Sequence, residues 1–368
     1  MSKCPYCDFN SFTLHEALPE ARYLDALRAD IAAQAPALAG RLVQSVFLGG
    51  GTPSLFSPQA IGSVLDFLHA QLPLAPGAEV TMEANPATIE RGRFAEYRSA
   101  GINRVSLGAQ TFDPAALKAL GRIHVLADVY RSVEELHAAG LDNFNLDLMF
   151  ALPGQTRAGA LADLREALRL APTHLSHYQL TLEPGTVFAA RPPPALPDDD
   201  LAWDMQEDCH AELAAQGFEH YEISGFARPG RQCVHNLNYW LFGDYLGAGA
   251  GAHGKLSWPA RGVIERTTQQ REPRRYQARP VEGLERRSVD PLDLPFEFAL
   301  NALRLPAGFD LSLYAARTGI PAEDLLPQLQ HLEVRGLLEH RGERWRASPT
   351  GLRFLNDVIA SFLRSKNS

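Results

Sequence analysis

The sequence predicts an α/β protein in which a partial barrel of parallel strands is followed by a small second domain. Short apolar runs alternate with helical patterns from about residue 46 to residue 226. Polar and glycine residues follow one predicted strand after another. Beyond residue 290 this alternation stops and a shorter helix-rich pattern begins. These three observations predict the fold class.

Length and composition agree with a folded protein of two domains. The chain has 368 residues, of which 45% are hydrophobic and 21% charged. Its 35 Lys and Arg against 43 Asp and Glu give a net charge of −8, which argues against broad nucleic-acid binding. No secretion signal opens the chain and no long apolar run follows. We therefore expect a cytoplasmic protein without stable membrane insertion.

Six apolar runs predict the strands of the barrel, at 46–48, 79–82, 104–107, 144–149, 175–182 and 218–223. Helical apolar spacing occupies the intervals between several of them, at 59–71, 89–100 and 127–139. Because parallel strands need long crossover connections, strands alternating with helices predict a parallel sheet or barrel. The unit is a (β/α)6 partial barrel.

Polar residues cluster where these strands end. The segments are GGGTP at 49–53, EANP at 83–86 and GAQ at 108–110, and Asp147 lies late in the fourth strand. In a parallel β/α fold these ends lie on one face, where ligand sites are built. We expect one site that draws on all of them.

The second half of the chain predicts a linker and a second domain. Residues 191–200 are proline-rich and then acidic, and a helix is expected from about Asp200. The interval 261–289 contains eight arginines and little apolar periodicity, as in an exposed connection. Residues 290–368 then show three helical patterns, two short strands and a closing helix, an order typical of a winged-helix module. No helix there is densely basic, which argues against DNA binding.

Cys4 and Cys7 form a CxxC pair, whereas Cys209 and Cys233 stand apart. Such a pair is compatible with half of a zinc site, a redox pair or two ligands of an iron-sulfur cluster. Zinc would need further soft ligands, and His15 is the one local candidate. A thioredoxin-like pair normally follows a strand and opens a helix, whereas only three residues precede Cys4.

The segment KCPYCDFN at 3–10, followed by GGGTP at 49–53, resembles the radical S-adenosylmethionine (SAM) superfamily, whose signature is CxxxCxxC. The resemblance implies a [4Fe-4S] cluster held by three thiolates, with SAM on the fourth iron and Tyr6 near the adenine. Cys4 and Cys7 would be two of the metal ligands, and the first cysteine would fall one position before Met1. We expect a natural chain that starts further upstream; a loss of cluster chemistry is the alternative.

Four further motifs are similar, in order and spacing, to the coproporphyrinogen oxidase-like branch: MEANP at 82–86, GAQTF at 108–112, GRIH at 121–124 and NLDLM at 145–149. The resemblance implies SAM contacts from Gly50, Gly51 and Thr52 to its amino group, from Glu83 and Asp147 to its ribose, and from Gln110 and Arg122 to other polar parts. Taken singly, a glycine triplet can be a tight turn and a carboxylate can cap a helix.

Two families compete within this branch. The oxygen-independent coproporphyrinogen III oxidases carry a further cysteine two places after the last cluster cysteine, where this chain has Phe9. HNLNYW at 235–240 resembles instead the HemW-type haem chaperones. His235 is then the candidate haem contact, with Tyr239 and Trp240 as an apolar wall. The alternative is a structural role for His235. Cys233 and His253 are further candidate haem ligands, for which a structural role is likewise the alternative.

The sequence therefore predicts a partial (β/α)6 radical-SAM barrel in residues 1–260, a linker at 261–289 and a winged-helix-like domain in 290–368. By resemblance it would bind a [4Fe-4S] cluster, SAM and haem, and pass haem to an acceptor protein that the sequence does not identify. An electron donor would be a further partner. The enzyme alternative is a coproporphyrinogen dehydrogenase, which converts propionate side chains to vinyl groups.

Overall fold

The computed structural model describes residues 3–12, 19–89, 91–258 and 261–363, so His15 lies outside the described residues. Its largest sheet has seven strands in the order β1-β2-β3-β4-β5-β7-β6. The strands are β1 (Val43–Leu48), β2 (Leu74–Ala84), β3 (Arg104–Gln110), β4 (Phe144–Phe150), β5 (His174–Gln179), β6 (Glu219–Glu222) and β7 (Gly225–Ala227). The pairs from β1 through β5 are all parallel, as the alternating pattern predicted.

Eight helices accompany this part of the chain within the described residues. They are α1 (Glu20–Gln34), α2 (Pro58–Gln71), α3 (Arg93–Ser99), α4 (Pro114–Ala119), α5 (Leu126–Ala138), α6 (Arg157–Arg169), α7 (Val187–Ala190) and α8 (Asp199–Ala215). Several begin at a side-chain cap; the hydroxyl of Ser57, for example, accepts from the Ala60 N–H at the start of α2.

The two faces of the sheet differ in polarity because side chains alternate along each strand. In β3, Val105 and Leu107 belong to the hydrophobic cluster that the helices cover. Arg104 and Ser106, which alternate with them along the strand, are buried polar residues. The interior of the partial barrel is therefore lined with polar groups, which is the side on which the site is built.

The last strand differs from the prediction. A sixth parallel strand was expected at 218–223, but the neighbour of β5 is β7, which pairs with it antiparallel, Leu175 opposite Phe226. Only Ile223 and Ser224 separate β6 from β7. A parallel crossover needs about a dozen residues, so this short connection can only reverse the chain.

A second sheet follows, with α9 (Val234–Trp240) before it. Its antiparallel strands are β8 (His253–Trp258), β9 (Val263–Thr268) and β10 (Glu285–Ser288), and α10 (Pro273–Ala278) lies between the last two. The interval 261–289, expected to be a linker, thus carries two strands and a helix. The interval shows little apolar periodicity, but backbone hydrogen bonds of β9 with β8 and with β10 hold it in a sheet. The limits 1–260, 261–289 and 290–368 stay a prediction.

The C-terminal elements follow the expected winged-helix order. They are α11 (Leu294–Ala302), β11 (Phe309–Asp310), α12 (Leu311–Thr318), α13 (Leu326–Val334), β12 (Leu338–Arg341), β13 (Arg344–Ala347), α14 (Pro349–Arg353) and α15 (Leu355–Ala360). The third of the helical patterns in the C-terminal sequence covers residues 322–335, and it is split into a 3-10 turn at Ala322–Asp324 and α13, which starts beside Pro327. The closing helix is interrupted at Phe354.

The chain forms two compact units. One comprises Met1–Arg28, Ala35–His220 and Ser224–Cys233; the other comprises Ala29–Gln34, Tyr221–Ile223 and Val234–Ser368. The barrel sheet provides the main core of the first, and a cluster around Phe298 and Trp345 that of the second. In the described ranges, no helix has the length and apolar character to span a membrane.

Candidate functional site

The carboxyl ends of the parallel strands bring the expected polar residues to one edge of the sheet. The glycine triplet 49–51 follows β1, and Glu83 lies at the end of β2. Gln110 ends β3, and Asp147 lies in β4. Since β1 through β4 are parallel neighbours, these residues share an edge, which is where α/β folds place ligands.

The glycine triplet packs directly against Glu83. The Gly50 N–H donates to Oε2 of Glu83 at 3.0 Å, and Gly50 has a φ of +103°, which favours glycine. A Cβ at Gly49 would lie 2.6 Å from a ring carbon of Phe47 and 3.0 Å from the Glu83 carboxyl. Gly50 and Gly51 face open space instead. Thr52 starts the 3-10 turn Pro53–Leu55 without capping it through its side chain.

Two carboxyl groups near this edge have raised pKa values. Burial, together with the charge of Asp147, raises the pKa of Glu83 from 4.5 to about 7, against the effect of the Gly50 N–H. Burial also raises the pKa of Asp147, although its hydrogen bonds with Asn145 and Ser106 act in the opposite direction. Asn145 donates to Oδ1 of Asp147 at 2.8 Å. The pair can therefore hold a proton near neutral pH.

Gln110 adopts an unusual backbone conformation at the end of β3. Its φ is +72°, and the β3–β4 register shifts between Gly108 and Gln110. The Tyr178 hydroxyl donates to Oε1 of Gln110 at 2.7 Å. A Cβ at Gly108 would lie 2.9 Å from Nε2 of Gln110, so only glycine leaves room for that amide.

Arg122 connects the end of β3 to the segment that carries Cys4 and Cys7, residues 3–12, which we call the cysteine loop. Its Nη2 donates to the Gly108 carbonyl at 3.0 Å, and its Nη1 lies 3.8 Å from Sγ of Cys4. Its Nε is buried and has no hydrogen-bond partner among the described residues. Burial raises the pKa of the nearby Tyr6 phenol to about 12, although the Arg122 charge opposes this. The Tyr6 ring packs beside Phe188, with centroids 6.4 Å apart.

The cysteine loop is anchored at several points. The Cys7 N–H donates to the Cys4 carbonyl at 3.2 Å, and the Phe188 N–H donates to the Pro5 carbonyl at 3.0 Å. Both thiols are free and half-buried, and burial raises the pKa of Cys7. Within the described residues, no group of three or more His, Cys, Asp or Glu is arranged to hold a metal ion. The two thiols nevertheless suit an iron-sulfur cluster, because thiolates are its usual ligands. The Arg122 guanidinium beside Cys4 carries the charge that attracts a thiolate.

Sequence reasoning missed Tyr178 and His124. Tyr178 lies near the end of β5, so the rule that found Glu83 and Asp147 would have found it on the next strand. Nε2 of His124 lies 3.1 Å from the Ala109 carbonyl, and burial, with the Arg122 charge, lowers its pKa to about 4. His124 belongs to the GRIH motif at 121–124, but its contact with β3 has no sequence signal.

The second unit contains the HNLNYW segment, which forms most of α9. None of the seven residues of α9 is buried. The His235 and Tyr239 rings meet edge to face with centroids 4.9 Å apart, and the Tyr239 ring lies 4.4 Å from that of Tyr245. A short helix that leaves a histidine and two large aromatic residues half-exposed is suited to a flat apolar ligand.

The other two haem candidates are engaged differently. Cys233 is buried, and its thiol lies 3.3 Å from Oε1 of Glu79. His253 is exposed at the start of β8, with Nδ1 3.3 Å from the Thr268 hydroxyl. Of the three, His235 is the one on the half-exposed aromatic helix.

A buried lysine holds the loop after α9. Nζ of Lys255 donates to the carbonyls of Phe242 and Gly243 and to Oδ1 of Asp244, at 3.1, 3.3 and 2.9 Å. Its charge is therefore satisfied inside the protein. This fixes the chain that leaves the aromatic helix.

Comparison with known proteins finds matches both for the barrel and for the C-terminal module. Residues 1–167 match the radical SAM superfamily, and residues 289–354 match the HemN C-terminal domain. The protein named "Heme chaperone HemW" from Escherichia coli (strain K12) is 47% identical over 364 residues, covering 99% of this chain and 95% of the relative. The chain belongs to the HemW family.

Other HemW proteins and a solved structure extend this result. HemW from Haemophilus influenzae (strain ATCC 51907 / DSM 11121 / KW20 / Rd) is 42% identical, with 99% of this chain and 95% of the relative covered. The structure of coproporphyrinogen III oxidase (HemN) from Escherichia coli, described as a radical SAM enzyme, superposes with a TM-score of 0.81 at 22% identity, covering 98% of this chain and 87% of that one. It confirms the predicted fold class, an α/β radical-SAM partial barrel.

Proposed function

We propose that this protein is a haem chaperone that binds haem at α9 and passes it to an acceptor protein. The observation that carries the proposal is the half-exposed helix formed by the HNLNYW segment. The relatives named as haem chaperones, which match over nearly the whole chain, support it.

His235 would be the axial ligand of the haem iron. Neutral imidazole is a common haem ligand. The edge of the Tyr239 ring against His235 would fix the orientation of the imidazole, and Tyr239 would supply part of the apolar wall. A half-exposed position suits a chaperone, because the cargo must also leave.

The barrel would hold a [4Fe-4S] cluster and SAM, with Cys4 and Cys7 as cluster ligands. When bound, this pair supplies one-electron chemistry. Gly50, Gly51 and Thr52 would approach the SAM amino group with backbone carbonyl oxygens, which accept from its N–H groups. The remaining contacts would come from Tyr6, Glu83, Gln110, Arg122 and Asp147. A bound ribose would accept hydrogen bonds from Glu83 only while that carboxyl is protonated, and would donate to it when it is ionised.

We further propose a cytoplasmic site of action, because the four cysteines suit a reducing compartment. An electron donor would be a partner of the barrel. Haem and the acceptor protein would be partners of the second unit.

The test is a haem titration of the purified protein, followed by visible absorption, with apomyoglobin as the probe acceptor. We expect a Soret band of the complex on binding, its replacement by the Soret band of haem-loaded myoglobin on transfer, and an affinity about tenfold or more lower for His235→Ala. His253→Ala, which removes the other histidine considered, should bind haem like the unchanged protein. Equal affinity in the unchanged protein and His235→Ala would remove His235 from the ligand list.

The second candidate, coproporphyrinogen III oxidase, is favoured by the fold match to HemN. It is disfavoured by the exposed Phe9 at the position where those enzymes carry a cysteine. Anaerobic incubation of the cluster-reconstituted protein with coproporphyrinogen III, SAM and dithionite as the reductant separates the two. We expect no protoporphyrinogen IX; its formation would replace the chaperone proposal with the oxidase.

A further inference from the structure

Arg304 lies against the last residue of the HNLNYW segment. Its guanidinium carbon is 4.7 Å from the centre of the Trp240 ring, within cation–π distance. Both residues belong to the second compact unit. Arg304 follows α11, so the segment that ends α9 is in contact with the start of the C-terminal module.

One donor nitrogen of each residue lacks an acceptor among the described residues. Nε of Arg304 and Nε1 of Trp240 are both buried, and neither has a hydrogen-bond partner among the described residues. Arg304 also forms no ion pair within the described part of the chain. Burial lowers its pKa, and the charge of Glu222 acts in the opposite direction.

Other arginines of this unit are in different situations. Arg266 donates to the Tyr245 hydroxyl and is paired with Glu297. Arg261 also stacks on a tryptophan, 5.3 Å from the centre of the Trp258 ring, but it is exposed to water. Arg304 thus combines partial burial, contact with the aromatic helix and a buried Nε without a partner among the described residues.

A guanidinium withdrawn from water is costly unless an anion accepts its hydrogen bonds. Its planar fork matches a carboxylate, which it binds through two parallel N–H···O contacts. Haem carries two propionate carboxylates beside its apolar ring. We propose that Arg304, held in place by Trp240, recognises a propionate of the bound haem. This inference rests on the proposed function, since it presupposes that α9 binds haem.

The experiment compares haem with haem dimethyl ester, in which both carboxylates are masked, in the same dilute detergent. The unchanged protein should bind haem about tenfold or more tightly than the ester, as expected for charge-assisted hydrogen bonds. In Arg304→Gln the affinity for haem should fall and that for the ester should not, so the preference should shrink toward onefold. The Soret position should not move, because iron ligation is untouched.

Arg261→Gln is the matched control, since it removes another arginine stacked on a tryptophan in the same unit. It should keep the full preference for haem over the ester. Arg304→Lys carries the test if the Gln variant does not fold; it keeps the charge without the fork and should show a reduced preference.

The outcomes separate this inference from the function on which it rests. If the unchanged protein binds neither porphyrin, the proposed function fails. If it binds haem and the ester equally well, or if Arg304→Gln and Arg304→Lys both keep the full preference, haem binding stands and Arg304 is not the propionate partner.

Discussion

At the scale of single residues, burial sets the chemistry of the barrel edge. Glu83 lies in β2 and Asp147 in β4, on either side of β3; burial raises the pKa of both carboxyl groups, and the charge of Asp147 adds to the rise at Glu83. The sequence identified both residues through their position at strand ends. It gave no sign of their raised pKa values, because desolvation and charge proximity depend on what packs around them.

The Glu83 carboxyl should make stability depend on pH. Because its pKa rises from 4.5 to about 7 on folding, the folded protein binds this proton more tightly than the unfolded chain does. The contribution of this carboxyl group to the free energy of unfolding is therefore fully present at low pH and is lost as pH rises from about 4.5 to about 7. Glu83→Gln should raise the free energy of unfolding by about 3 kcal/mol at about pH 8, measured by urea unfolding.

At about pH 4, below both pKa values, the two proteins should be equally stable. A difference of the same size at both pH values would contradict this account. The amide of Gln can still accept from the Gly50 N–H, so the substitution tests the charge rather than the hydrogen bond.

At the scale of elements, connections decide what the strands can do. The cysteine loop has no secondary structure of its own and takes its shape from neighbours, among them Gly121, which follows α4. A Cβ at Gly121 would lie 2.9 Å from Cδ of Pro5, and the residue has a φ of +66°. The CxxC pair could be found from the sequence; the glycine that leaves room for it could not.

Gly121→Ala should displace the cysteine loop. The left-handed backbone alone costs an alanine about 1 kcal/mol, and the contact with Pro5 adds to this. We expect faster reaction of Cys4 and Cys7 with a thiol reagent, together with a fall in unfolding free energy of about 2 kcal/mol.

Gly154→Ala provides the control, since Gly154 has a φ of +72° and open space around its Cα. Its unfolding free energy should fall by the cost of the left-handed backbone alone, and the reactivity of Cys4 and Cys7 should not change. If both variants expose the thiols equally, the Pro5 contact does not position the loop.

At the scale of the whole molecule, the proposed cofactor sites belong to different compact units. The barrel edge lies in the first and α9 in the second, which has its own hydrophobic core. Ligand binding stabilises the state to which the ligand binds, and the effect is largest near the contacts.

Haem should therefore slow amide hydrogen exchange in α9 and around Arg304, and leave β2 through β4 unchanged. Hydrogen-exchange mass spectrometry with and without haem measures this directly. Protection concentrated at the glycine triplet 49–51 would instead assign haem to the barrel. The His235→Ala variant, at the same haem concentration, should show little protection anywhere.

The sequence by itself determined the parallel strands, the polar residues at their ends, the family and the aromatic helix motif. These features follow from the local periodicity of the sequence and from short motifs, so no tertiary information is needed to find them. The tertiary structure decided the antiparallel β7 beside β5, the ordered strands in 261–289, the hydrogen bonds of Tyr178 and His124, and the approach of Arg304 to Trp240. Each of these depends on groups far apart in the chain, whose meeting is fixed by packing and burial rather than by any pattern along the sequence.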